Sequence, residues 1–268
     1  MNALLRETVR GMLLELAGGC DYESDVIRAV KRAGAAGRIK RAACADSSVA
    51  DADISVNGIV HQVEVKANAR AQMGGGSVRY SSIDRAFTCG SECRDMSAAM
   101  IVILDAADDV EPLKDALDAL VRFIDKKTSG RDITGFPMSG FSPETWEAAA
   151  TSGLLRPINR YLEADASVIE AHYAAKGTHY IQIGGAGLFR LGEANPAGFP
   201  VPGLRGKVRL ELRAAKAGDA GRATSKAGLR VQARLAAAGT SPYTLDDPNS
   251  VKEMLATMTG TGNRKNGS

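Results

Sequence analysis

The stretch Asp51-Ala52-Asp53-Ile54-Ser55-Val56-Asn57-Gly58-Ile59-Val60-His61-Gln62-Val63-Glu64-Val65-Lys66 decides the fold of this chain. Asn-Gly between two alternating apolar runs is the strongest short-range hairpin signal, because both residues accept the positive φ of a two-residue type I′ turn. With the turn at Asn57-Gly58, Val56 lies opposite Ile59, Asp53 opposite Gln62 and Asp51 opposite Glu64. Opposed residues point to the same side, and the side-chain period along a strand is two. One face therefore carries Asp51, Asp53, Ser55, Val60, Gln62, Glu64 and Lys66. The other carries Ala52, Ile54, Val56, Ile59, His61, Val63 and Val65, and is apolar enough to pack on a core. Gathered carboxylates cost free energy unless positive charge sits among them. A divalent cation is the obvious candidate; the plainer alternative is a solvated face with a Glu64–Lys66 ion pair.

The chain has 268 residues, 44% hydrophobic and 24% charged, with a net charge of +3. That is ordinary for a globular protein of one or two domains and excludes a disordered or fibrous chain. No stretch approaches the roughly 18 consecutive apolar residues of a membrane span. Met1 to Gly18 carries Leu4, Leu5, Met12, Leu13, Leu14 and Leu16, but Glu7 and Glu15 interrupt it. It reads as an amphipathic helix rather than a signal peptide, so a cytoplasmic protein with no membrane partner is the expectation. Cys20, Cys44, Cys89 and Cys93 do not match paired C-x2-C zinc spacing. Free thiols are expected, with a structural zinc or disulfides as the alternatives. Charge is uneven: Pro202 to Ser268 holds 12 Lys and Arg against 5 Asp and Glu, a net of +7, leaving −4 for the first 201 residues. A basic segment on a mildly acidic body points to a polyanionic partner or to a solvated sheet face.

Along the chain, helices are expected at Ala3 to Leu16 and at Tyr22 to Ala33, the latter with Asp21 as N-cap and Gly34 as stop. Arg38 to Cys44 reads as an edge strand preceding the hairpin. Ala67 to Ser77 reads as a loop; its glycine run lacks the Lys-Ser/Thr ending of a phosphate-binding P-loop. A short helix at Ser82 to Thr88, a buried strand at Met100 to Leu104 and a helix at Glu111 to Ile124 follow. Helices at Pro143 to Ala150 and Ile158 to Tyr173 come next. Strands are then expected at Thr178 to Ile183, Leu188 to Leu191, Lys207 to Arg213 and Gly228 to Leu235, and a helix at Asp247 to Met258. The fold class read from this order is α/β (α+β): a mixed central sheet flanked by helices, with a C-terminal antiparallel, β-rich basic region. The corresponding domains are residues 1–127, a helical connection at 128–177, the basic region at 178–259 and a disordered tail at 260–268.

Asp53, ten intervening residues and Glu64-Val65-Lys66 resemble the signature of the PD-(D/E)XK nuclease superfamily, with the restriction-endonuclease-like fold. Glu23, in the first turn of a helix before the hairpin, fits the acidic residue that such folds often carry there. The resemblance covers roughly Asp21 to Ala106. Ala52 stands where the family usually has proline. Hairpin geometry alone does not choose between Asp51 and Asp53. The family's first acid runs straight into apolar strand residues, as Asp53-Ile-Ser-Val56 does, and this favours Asp53.

The resemblance implies a metal-dependent deoxyribonuclease, most like a type II restriction endonuclease, cutting double-stranded DNA as a homodimer. Asp53, Glu64, Lys66 and Glu23 are then the catalytic residues. Asp53, Glu64 and the Val65 carbonyl would hold Mg²⁺, with Mn²⁺ as a substitute. Such a hard cation takes oxygen ligands, usually one or two carboxylates plus waters. Lys66 would orient or deprotonate the attacking water and stabilise developing negative charge. Candidate DNA contacts are Arg79, Arg205, Lys207, Arg209, Arg213, Lys216, Arg222, Lys226 and Arg230, of which Lys207, Arg209 and Arg213 share one strand face. His61 reads as a core residue, and His172 and His179 as core or DNA-contacting residues. The alternatives are a homing, phage or junction-repair nuclease of the same fold, or a DNA-binding protein with an inactive core.

Overall fold

A computed structural model describes residues 21–39, 50–89, 95–127, 135–136, 143–215, 228–236 and 239–258. In chain order they form α1 (residues 21–32), β1 (Ala36–Ile39), β2 (Ala52–Val56), β3 (Ile59–Lys66), β4 (Gly74–Ser81), β5 (Ala86–Thr88), α2 (Asp95–Asp105), α3 (Val110–Lys127) and β6 (Gly135–Phe136). There follow α4 (Pro143–Thr151), a 3-10 turn at Arg156–Ile158, β7 (Arg160–Asp165), α5 (Ser167–Ala174), β8 (Tyr180–Ile183), β9 (Gly187–Arg190), β10 (Lys207–Ala215), β11 (Gly228–Leu235) and α6 (Pro248–Met258). The described chain is thus mixed α/β, with two sheets. No described helix is long and apolar enough to cross a membrane. The expected first helix, the part of the edge strand beyond Ile39, Cys20, Cys44, Cys93, Lys216, Arg222, Lys226 and the tail lie outside the described residues.

The chain divides into two compact units: Met1–Ala71 with Ile169–Lys207 and Leu235–Ser268, and Gln72–Val168 with Val208–Arg234. The first holds the sheet ordered β1-β2-β3-β8-β9. Asn57 (φ 52°) and Gly58 (φ 77°) make the expected hairpin turn. Val56 pairs with Ile59, Asp53 with Gln62 and Ala52 with Val63, the register read from the turn. The central strand β3 pairs antiparallel with β2 and parallel with β8, where Glu64 lies beside Ile181 and Lys66 beside Ile183. Ala52, Ile54, Val56, Val63 and Val65 form one core with Val26, Ile27 and Val30 of α1 and Val251 and Met254 of α6. Each of these Val, Ile and Met side chains contributes about 1.5–3 kcal/mol when fully buried.

The second unit holds the sheet ordered β5-β4-β11-β10-β7, with β6 also paired to β4. Its apolar positions, Val78, Tyr80, Leu229, Val231, Ala233, Val208, Leu210 and Leu212, are almost fully buried, as are Met96, Met100 and Leu104 of α2 and Leu113 and Leu117 of α3. The alternate positions, including Arg79, Arg209, Arg213 and Arg230, are exposed or half-buried.

Several expectations are corrected. Met100 to Leu104 is helical: Met96, Met100 and Leu104 recur at four-residue spacing and are buried, whereas Val102, which a buried strand would bury, is 68% exposed. Ser82 to Thr88 is a turn entering β5, fixed by Arg85 at φ 49° and by the Asp84 N–H donating to Ser81 Oγ. The glycine run from Gly74 opens β4 rather than sitting in a loop, with Ser77 N–H donating to Ser97 Oγ of α2. Ile158 to Tyr173 is not one helix. Extended backbone at Asn159 opens β7, and Asp165 accepts from Ser167 N–H to start α5. The consecutive domains give way to interleaved units: β8 and β9 join the hairpin's sheet, not the basic strands, because their apolar residues complete the β3 core. Cys89 is disulfide-bonded, so the expected free thiol is absent there.

Candidate active site

Asp51 ends the hairpin ladder just before β2. Its Oδ2 accepts the Val65 N–H at 2.8 Å, so the side chain takes the place of a ladder carbonyl. On β3, Glu64 and Lys66 are two residues apart and share a face. Lys66 Nζ lies 2.6 Å from Glu64 Oε1 and 3.7 Å from Asp51 Oδ2. Glu23 enters from α1, and its charge couples to Asp51, Lys66 and Glu64. This face is not solvated: Asp51, Glu64 and Glu23 are 7%, 3% and 7% exposed. A buried carboxylate cluster with a buried lysine is costly unless its geometry is satisfied.

Asp53 goes elsewhere. It faces Arg38 across the β1–β2 pair, and Arg38 Nε and Nη2 donate to Asp53 Oδ2 at 3.0 and 2.9 Å. The structure therefore brings together Asp51, Glu64, Lys66 and Glu23, with Asp51 where the family pattern pointed to Asp53. The missed signal was Arg38: an edge strand beside β2 puts a cation directly opposite Asp53.

Electrostatics sort the roles. Burial, then the Asp51 charge, raises the Glu23 carboxyl to about 7. Burial likewise raises Asp51 to about 6, against the pull of Lys66 and Lys176. Burial alone would lower Lys66, but Tyr173, Glu64 and Asp51 outweigh it and hold the amine protonated. Two groups absent from the sequence reading complete the site. Tyr173 of α5 is fully buried and hydrogen-bonds Glu64, and Lys176 follows α5. The sequence reading puts Tyr173 at the end of a single helix from Ile158, whereas it lies on the separate α5 that follows β7, and its approach to Glu64 and Lys66 has no local signal.

Among the described residues, no group of three or more His, Cys, Asp or Glu side chains is arranged as a ready metal site. Even so, Asp51 and Glu64 suit a hard cation, which needs only one or two carboxylates. Glu64 Oε2 is buried with no hydrogen-bond partner among the described residues, an unmet acceptor that a cation would satisfy. The Val65 carbonyl lies on the same strand.

The other candidates are dispersed. Arg79, Arg209, Arg213 and Arg230 belong to the second sheet, where Arg230 Nη1 donates to Ser77 Oγ and the Arg209 guanidinium lies 5.3 Å from the Tyr161 ring centroid. Arg205 and Lys207 are exposed. His61 packs edge-on to Tyr180, and buried His172 contacts the Tyr173 ring. Comparison with protein-family models, characterised proteins and solved structures returns no match.

Proposed function

We propose that this chain is a Mg²⁺-dependent endonuclease hydrolysing phosphodiester bonds of double-stranded DNA, of the type II restriction-like kind. The observation that carries the reading is the buried Asp51–Glu64–Lys66 cluster at the open end of the β2–β3 hairpin. Carboxylates whose protonation is perturbed by burial and by a specific charged partner are a recurring feature of functional centres. The five-stranded mixed sheet with a hairpin at its centre suits the restriction-endonuclease-like architecture.

In this reading Asp51 replaces Asp53 as the first acid. Asp51, Glu64 and the Val65 carbonyl would hold Mg²⁺ or Mn²⁺. Such an ion would supply charge neutralisation at the phosphate and an acidified water for attack. Lys66, held protonated, donates to the negative charge developing on the phosphate oxygens and does not serve as a base. Glu23, at about 7, accepts the proton of the attacking water near neutrality. The arginines on the exposed to half-buried face of the second sheet track phosphates. Two copies of the chain would provide the paired sites that symmetric cutting of both strands needs.

The non-catalytic reading, a DNA-binding protein with an inactive core, has one observation in its favour. Lys66 itself neutralises Glu64 and Asp51, the task assigned to a cation. Plasmid DNA incubated with the chain in Mg²⁺ and in EDTA separates the two. Metal-dependent nicking or linearisation that Glu64→Gln abolishes supports the enzyme. Binding without cleavage across Mg²⁺, Mn²⁺ and Co²⁺ supports the binding protein. Discrete bands indicate restriction or homing activity, and selective cutting of branched DNA indicates a repair role.

A further inference from the structure

The second unit places an aromatic ring in solvent among arginines. On β7, Arg160 points toward α3, and its Nη1 donates to Asp109 Oδ2 at 2.6 Å just before that helix. Side chains alternate along a strand, so Tyr161 points the other way. Asn159 Oδ1 accepts the Ala214 N–H at 3.2 Å and ties the start of β7 to β10. Tyr161 is 63% exposed, whereas Tyr80, Phe87 and Trp146 of the same unit are buried.

The ring has a cationic neighbour. The Arg209 guanidinium of β10 lies 5.3 Å from its centroid, and Arg209 is itself exposed, so both partners of this cation–π pair reach solvent. The outward positions of the neighbouring strands add Arg213 on β10, Arg230 on β11 and Arg79 on β4. Glu211, between Arg209 and Arg213, and Glu163, two residues from Tyr161, interrupt the positive charge. A continuous basic strip suits the outside of a duplex, which presents phosphates and keeps its bases stacked inside. Separate guanidinium groups around an exposed ring suit a strand whose bases are unpaired, because only an unpaired base offers a free π-face for stacking.

We propose that this face binds unpaired nucleotides of a DNA substrate: a base stacks on the Tyr161–Arg209 pair, and the arginines of β10, β11 and β4 take the flanking phosphates. The inference adds the strand state of the substrate to the nuclease reading, and binding tests it apart from cleavage. Fluorescence anisotropy with the full-length chain in EDTA compares three labelled probes: a blunt duplex, the same duplex with a single-stranded dT overhang, and one whose overhang is abasic. The dT overhang should tighten binding about tenfold over the blunt duplex, the contribution of a stacked base. The abasic overhang keeps the phosphates and should give little of that gain. Tyr161→Ala should lose the gain and leave blunt-duplex affinity and the urea midpoint unchanged, and Tyr161→Trp should keep it. Arg209→Ala should flatten the slope of log affinity against log salt for the overhang probe by about one. Equal gains from dT and abasic overhangs, or the full gain in Tyr161→Ala, overturn the assignment. A wild type that binds blunt and overhang probes equally overturns it too, even if the chain cuts DNA. An overhang preference that needs Tyr161, in a chain that cuts no DNA with any metal, upholds the binding face and sinks the nuclease reading.

Discussion

Asp51 and Asp53 are two residues apart on the same face, yet they have different partners. Asp51 bonds the Val65 N–H beside Lys66, and Asp53 bonds Arg38. The sequence made the shared face legible but not this split, because which strand lies on the far side of β2 is not written in the hairpin. Their environments also make a pH prediction. Burial raises Asp51 from its ordinary 3.8 to about 6 and Glu23 from 4.5 to about 7. The folded chain therefore keeps protons that the unfolded chain releases. The stability these groups contribute is complete below their ordinary values and is lost as pH rises through about 6 and 7. In EDTA, the urea midpoint should fall between pH 5 and pH 8, and Asp51→Asn should flatten that fall. An equal slope in the variant would remove Asp51 from the coupled cluster. Lys66→Met leaves Glu64 and Asp51 buried without their counter-charge. It should cost about 3–5 kcal/mol in urea unfolding at pH 8, and less at pH 5, where Asp51 carries its proton.

At the scale of elements, the Asn57-Gly58 turn dictated strand pairing and register, and both are observed. The region Met100 to Leu104 misled because five consecutive apolar residues carry no period of their own; the flanking Met96 at helical spacing was the deciding residue. Two glycines make a graded test of how tightly the site's strands are held. A Cβ on Gly58 meets nothing within 4 Å, so Gly58→Ala should cost only the positive-φ penalty, about 1 kcal/mol. A Cβ on Gly184 would overlap the Ala67 carbonyl, directly after Lys66, and Gly184 N–H donates to Lys66 O. Gly184→Ala should therefore cost more, about 1–3 kcal/mol, and should also reduce cleavage, since β3 must shift at Lys66. Comparable thermal shifts for the two variants would contradict this packing.

For the whole molecule, the basic strands were visible from their alternation, but the assignment of β8 and β9 was not. Parallel pairing of β3 with β8 joins residues more than a hundred positions apart, and no local pattern encodes that. The interleaved units imply that residues 1–127 alone leave β3 without β8 and should not show cooperative unfolding by circular dichroism. The arginine-bearing face of the second sheet makes an independent claim: Arg209→Ala with Arg213→Ala should flatten the salt dependence of duplex binding by about two. The account depends most on the acid beside Glu64 and Lys66. The direct measurement is the Mg²⁺-dependent rate of plasmid cleavage by wild type, Asp51→Ala and Asp53→Ala. Asp51→Ala should lose activity about 100-fold or more while Asp53→Ala keeps most of it. Full activity in Asp51→Ala with loss in Asp53→Ala, or no metal-dependent cleavage by the wild type, would contradict it.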